Sequence, residues 1–198
     1  KVQMALSDLY EEVKVSQKLE DASRSALNYR FGVLKVCWDE STDNPTLKFV
    51  RSQRIRLPNY GGRFISDLPY VIEKIDMTYQ EIKDFFGDAT ALELASMAKA
   101  EGGAEDDVDL NKRVWTINEV WTDWWRAWKY ESKILKKEKN PYWNFDDVTK
   151  NHLHKPTKPY FLIAPFSLGK SPIPETCLVE QSMPIQDGLN VVGRIIIN

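Results

Sequence analysis

Few residues in this chain stand at spacings that could perform chemistry. His152 and His154 are its two histidines and alternate as they would along a strand, so one face could present both imidazoles to a metal ion. No cysteine or further histidine cluster completes that site, and the pair reads as a surface coincidence. Gly169-Lys170-Ser171 has the closing residues of a phosphate-binding loop but lacks the upstream glycine that lets backbone amides wrap a phosphate. Asp106, Asp107 and Asp109 crowd into one acidic loop without the Asp-Gly spacing of a calcium-binding loop. There is no Gly-x-Ser-x-Gly elbow, and no carboxylate pair stands out among the 29 acidic residues. The residues point away from catalysis, and no metal or cofactor is expected.

The tryptophans are the more pointed feature. Five of the seven lie at Trp115, Trp121, Trp124, Trp125 and Trp128. Exposed rings on a sheet can stack on sugars or nucleobases, worth about 1–3 kcal/mol per base. Buried rings instead fill a core, each covering about 150–250 Å². Core or subunit contact is the stronger expectation. An aromatic-rich carbohydrate- or nucleic-acid-binding module using Trp115, Trp121, Trp125 or Trp128 is the rival, and a metal-dependent hydrolase on His152, His154 and the acidic loop is the second. Trp124 and Trp125 should face opposite sides of a strand, so one of them should meet something other than this core.

The elements that must position these residues follow from periodicity. Val2, Leu6, Leu9 and Val13, then Val15, Leu19, Ala22, Ala26 and Tyr29, predict a helix over 1–31, with Gly32 as a left-handed cap. Strands follow at 33–39 and 46–50, joined by a turn, and another at 70–75. Thr78 with Glu81 three residues later signals a capped helix that Gly87 ends, and 89–100 favour a further helix. Residues 102–109 read as a loop. Aromatic and β-branched residues predict strands within 113–135 with a bend at Thr122-Asp123, a turn at Asn140-Pro141, and a strand at 159–164. A final helix from about Glu175 carries an apolar stripe through Leu178, Ile185, Leu189, Val192 and Ile196, with Pro184 expected to kink it.

The expected fold is therefore α+β: short mixed or antiparallel sheets with packing helices, and a long kinked C-terminal helix leaving the body. The expected division is 1–174 for the body and 175–198 for that helix. The 198 residues carry 27 basic and 29 acidic side chains, which argues against a surface that grips phosphate backbones by overall charge. Cys37, between Val36 and Trp38, reads as a small buried hydrophobe. No run reaches the roughly 18 apolar residues of a membrane span, so a soluble protein made in cytoplasm is expected. The chain starts inside a helical pattern and stops inside an apolar run, as a piece of a longer protein would.

The order of these segments resembles the portal protein of tailed bacteriophages, over nearly the whole chain and without one decisive motif. Leu27-Asn28-Tyr29-Arg30-Phe31-Gly32 before the strand Lys35–Asp39, the segment Tyr70–Ile82, Val120-Trp121-Thr122-Asp123 and Asn140-Pro141-Tyr142-Trp143 are similar to the wing region of that family. Lys158-Pro159-Tyr160-Phe161 resembles the strand before the stem, and Glu180-Gln181-Ser182-Met183-Pro184-Ile185-Gln186-Asp187-Gly188-Leu189-Asn190 the helix that descends from it. The resemblance implies a non-enzymatic ring component at the capsid vertex of a virion. Its implied partners are identical subunits in a dodecameric ring, the large terminase subunit, major capsid and scaffold proteins, tail adaptors, and double-stranded DNA passing non-specifically. The family's clip, returning stem helix, channel loop and crown have no counterpart here. The candidate subunit interface is Leu178, Gln181, Ile185, Leu189, Val192 and Ile196, with Trp124 and Trp125.

Overall fold

The computed structural model describes residues 10–39, 43–58, 64–102, 113–151, 153–164, 173–174 and 176–197. The architecture is α+β with antiparallel sheets, as the sequence predicts. The chain forms two compact units, Lys1–Leu68 with Lys158–Asn198, and Pro69–Thr157.

In the first unit, helix α1 (Val15–Tyr29) precedes strands β1 (Gly32–Asp39), β2 (Asn44–Val50) and the short β3 (Ile55–Arg56). After the second unit the chain returns as β8 (Tyr160–Ile163) and ends in helix α4 (Leu178–Ile197). The sheet order is β2-β1-β8, with Val33 opposite Val50 on one side and Leu162 on the other. The expected continuous helix over 1–31 is interrupted. Residues 10–12 are helical, Lys14 takes φ 55° in the left-handed region, and α1 starts afresh at Val15. The two-residue step from Val13 to Val15 breaks the three-and-four alternation at that point, so one apolar stripe cannot run through it. Residues 1–9, with Val2, Leu6 and Leu9, lie outside the described residues.

Gly32 is not the helix cap either. Arg30, at φ 75°, takes the left-handed position, and Gly32 begins β1. A Cβ on Gly32 would sit 1.8 Å from the Ala22 carbonyl oxygen, so the strand can lie this close to the helix only at a glycine. Ala22 and Ala26 are buried at the same contact. Ser25 and Ser52, with hydroxyls 2.6 Å apart, both reach the Phe31 carbonyl and satisfy it inside this interface. Cys37 is half-buried rather than buried.

The second unit runs β4 (Val71–Thr78), α2 (Tyr79–Phe86), α3 (Asp88–Gly102), β5 (Val114–Trp121), β6 (Trp125–Tyr130) and β7 (Lys133–Lys139). These four strands are antiparallel neighbours in that order, from Thr78 opposite Val114 to Trp125 opposite Lys139. Along β5 exposure alternates strictly, with Trp115, Ile117, Glu119 and Trp121 buried on one face. Against that face α2 and α3 set Ile82, Ala91 and Leu94, which pack with Trp115, Ile117 and Trp128 into the core. Each such indole brings about 4–6 kcal/mol of gross apolar burial, so the tryptophans hold this unit together. Thr78 caps α2 as predicted. Its amide donates to Glu81 Oε2 at 2.7 Å, its Oγ1 accepts from the Glu81 amide at 3.4 Å, and Gly87 ends the helix at φ 92°.

Candidate subunit-contact surface

Helix α4 is fixed at its start and exposed from Leu178 to Asn190. Cys177 begins it: its amide donates to Glu180 Oε2 at 2.9 Å, and its sulfur accepts from the Glu180 amide at 3.4 Å. The same Glu180 carboxylate receives Arg30 Nη2 at 2.9 Å, which ties the helix to the C-terminal cap of α1. The Arg30 guanidinium, helped by the Cys177 amide, holds the Glu180 carboxyl below the usual carboxylate range, and Glu180 raises Arg30 in return.

Beyond this anchor every residue from Leu178 to Asn190 is exposed. Leu178, Ile185 and Leu189 of the predicted stripe are 41%, 68% and 61% exposed, and Gln181 lies on the same exposed stretch. Val179 and Met183 are open as well. The side chains of Val192 and Ile196 lie outside the described residues, though the helical backbone continues through them. Pro184 and Gly188 are two of the weakest helix formers, and Pro184 deprives the Glu180 carbonyl of its helical donor. Helices in water owe most of their stability to a packed apolar face. Among the described residues, Leu178, Ile185 and Leu189 present such a face to solvent.

Trp124 and Trp125 are not on opposite faces of one strand. Trp124 lies in the turn between β5 and β6, 57% exposed, with its ring 6.4 Å from Phe145. Trp125 opens β6, half-buried, with Lys137 Nζ 4.7 Å from its ring centre. Asn140, 1% exposed, sets this corner. Its Nδ2 donates to the Asp123 and Thr157 carbonyls at 2.8 and 2.9 Å, its amide to the Trp124 carbonyl at 2.9 Å, and its Oδ1 accepts from the Tyr142 amide. Sequence reasoning saw only a proline-led turn here. The one available signal was an Asn before Pro, and a turn asparagine is ordinarily exposed.

The rival sites fare unequally. Trp115, Trp121 and Trp128 are at most 3% exposed, so they offer no ring to a ligand and only Trp125 of that proposed set keeps a partly open face. His154 is exposed, while His152, the Gly169-Lys170-Ser171 segment and most of the acidic loop lie outside the described residues. Among the described residues no group of three or more His, Cys, Asp or Glu is placed to hold a metal ion, and no helix is long and apolar enough to cross a membrane. A cavity of about 520 Å³ in the first unit is lined by Asp21, Arg24, Asn28, Phe49, Arg51 and Arg54 among others. Ser25, Tyr29 and Gln53 complete its wall. No family model matches this chain, and no curated protein matches it in sequence.

Proposed function

We propose that this chain is the wing region and the start of the stem of a viral portal ring, a structural rather than catalytic protein. The observation that carries the reading is α4, anchored by Arg30 and Glu180 and exposed from Leu178 to Asn190 with an apolar stripe. Burial of Leu178, Met183, Ile185 and Leu189 is worth about 1.5–3 kcal/mol each. Several helices meeting around an axis would gain enough to offset the entropy lost on association. Closed cyclic symmetry supplies the same cover to every copy and leaves no copy with a bare face. The likeness of Glu180–Asn190 to the family's stem helix agrees with that geometry.

In this role the ring sits at the capsid vertex of the virion. It docks the large terminase subunit, which supplies the ATP hydrolysis, contacts capsid, scaffold and tail adaptor proteins, and lets double-stranded DNA through without gripping it. Negative-stain electron microscopy and mass photometry of the complete protein test this directly. Rings with a central hole are the expected result, and Ile185→Glu with Leu189→Glu should yield monomers that keep the parent's tryptophan emission, because the tryptophan core lies in the second unit. Monomers under all ionic conditions, or rings indifferent to that double substitution, would overturn the assignment.

A further inference from the structure

The face of the second unit turned away from its core carries a charge balance unlike that of the whole chain. The strand register and the alternation of side chains put Lys74, Lys129, Lys137 and Lys139 on this face, against the carboxylate of Asp76. Among the described residues, Lys129, Lys137 and Lys139 make no ion pair, whereas Lys133 and Lys136 pair with Glu93 and Glu138. At one corner the lysines meet rings. Lys137 Nζ is 4.7 Å from the Trp125 ring centre, Lys139 Nζ is 5.2 Å from that of Phe145, and Phe145 borders the exposed Trp124.

We propose that this corner binds single-stranded nucleic acid, with Trp124 and Phe145 stacking on bases and Lys129, Lys137 and Lys139 taking phosphates. Lysines on an edge strand alone would serve to keep sheets from pairing edge to edge. An open indole beside them defeats that purpose, because it invites association. An acidic protein would satisfy the ammonium groups and leave the rings wet, and a duplex hides the faces of its bases. An unpaired strand offers phosphates and bare base faces together, the pairing that basic surfaces with aromatic platforms use. Lysine ammonium groups are point charges without the fork that reads a base edge, so binding is tolerant of sequence. Asn140 fixes the backbone of the turn that carries Trp124.

Fluorescence anisotropy on the full chain with a labelled oligothymidylate of about 12 nucleotides, at about 50 mM salt, tests the proposal. Saturable binding is expected. Trp124→Ala should weaken it about tenfold with an unchanged salt slope, and Trp124→Phe should keep most of the affinity. Lys137→Gln with Lys139→Gln should lower the log–log salt slope by about 1.4, roughly 0.7 for each phosphate left without its ammonium group. Circular dichroism of each variant should match the parent. No binding, binding unaffected by these substitutions, or displacement by polyglutamate as readily as by unlabelled oligothymidylate would overturn it, the last assigning the corner to an acidic protein. The measurement does not depend on assembly, so it succeeds or fails independently of the ring.

Discussion

Two glycines of this chain meet opposite surroundings, and their substitution should have opposite effects. A Cβ at Gly32 would collide with the Ala22 backbone, which cannot move without separating α1 from β1. Gly32→Ala should cost more than about 3 kcal/mol or abolish folding of the first unit, by urea titration. Gly188 lies in the exposed middle of α4, where an added Cβ would meet nothing within 4 Å, so Gly188→Ala should stabilise the helix by about 1 kcal/mol, read as higher helicity by circular dichroism. Asn140 is the third residue whose role is visible only in three dimensions. Asn140→Ala leaves two carbonyls and an amide without their partner, and should cost roughly 3 kcal/mol and move the emission of the exposed Trp124.

At the scale of elements, α2 and α4 both begin with a carboxylate folded back onto the first amides, and both starts should respond to acid. Glu81 is held below the usual range mainly by the Thr78 amide, and Glu180 mainly by Arg30. A carboxyl with a depressed folded pKa adds stability that is complete above its unfolded pKa, about 4.3. That stability disappears as pH falls through the lower folded value. Stability at pH 3 relative to pH 7 should therefore fall less in Glu81→Gln than in the parent, and Thr78→Ala should cost about 1 kcal/mol at pH 7 by thermal unfolding. In hydrogen exchange, amides of 181–190 should exchange quickly in isolated subunits and slowly once the helix is covered. Equal rates in both states would mean that α4 is not the contact surface.

For the whole molecule, the second unit is one continuous stretch set between the two halves of the first. It holds a core of its own, with Trp115, Ile117 and Trp128 against Ile82, Ala91 and Leu94. Residues 69–157 expressed alone should therefore unfold in a single cooperative transition, followed by tryptophan emission and circular dichroism together. The first unit needs its last segment, because β8 flanks β1 and contributes the buried Tyr160. A chain truncated at residue 157 should lose that sheet while the second unit keeps its native emission.

The α+β class, the capped helix at Thr78, strands β4, β5 and β6 and the apolar spacing of α4 were legible in the sequence, because each rests on spacing within a single element, whereas the lysine-rich β7 was not foreseen. Val13-to-Val15 also recorded the break before α1, as a phase slip in the apolar pattern. What tertiary structure decided were matters of distance between elements. It set Gly32 as a contact rather than a cap, Asn140 as a buried hub, and Trp115, Trp121 and Trp128 inside while Trp124 and Lys137 stayed out. Side-chain type does not distinguish a ring that fills a core from one that waits at a surface. Only the placement of α2 and α3 on one face of the sheet does, because those helices remove water from that face alone.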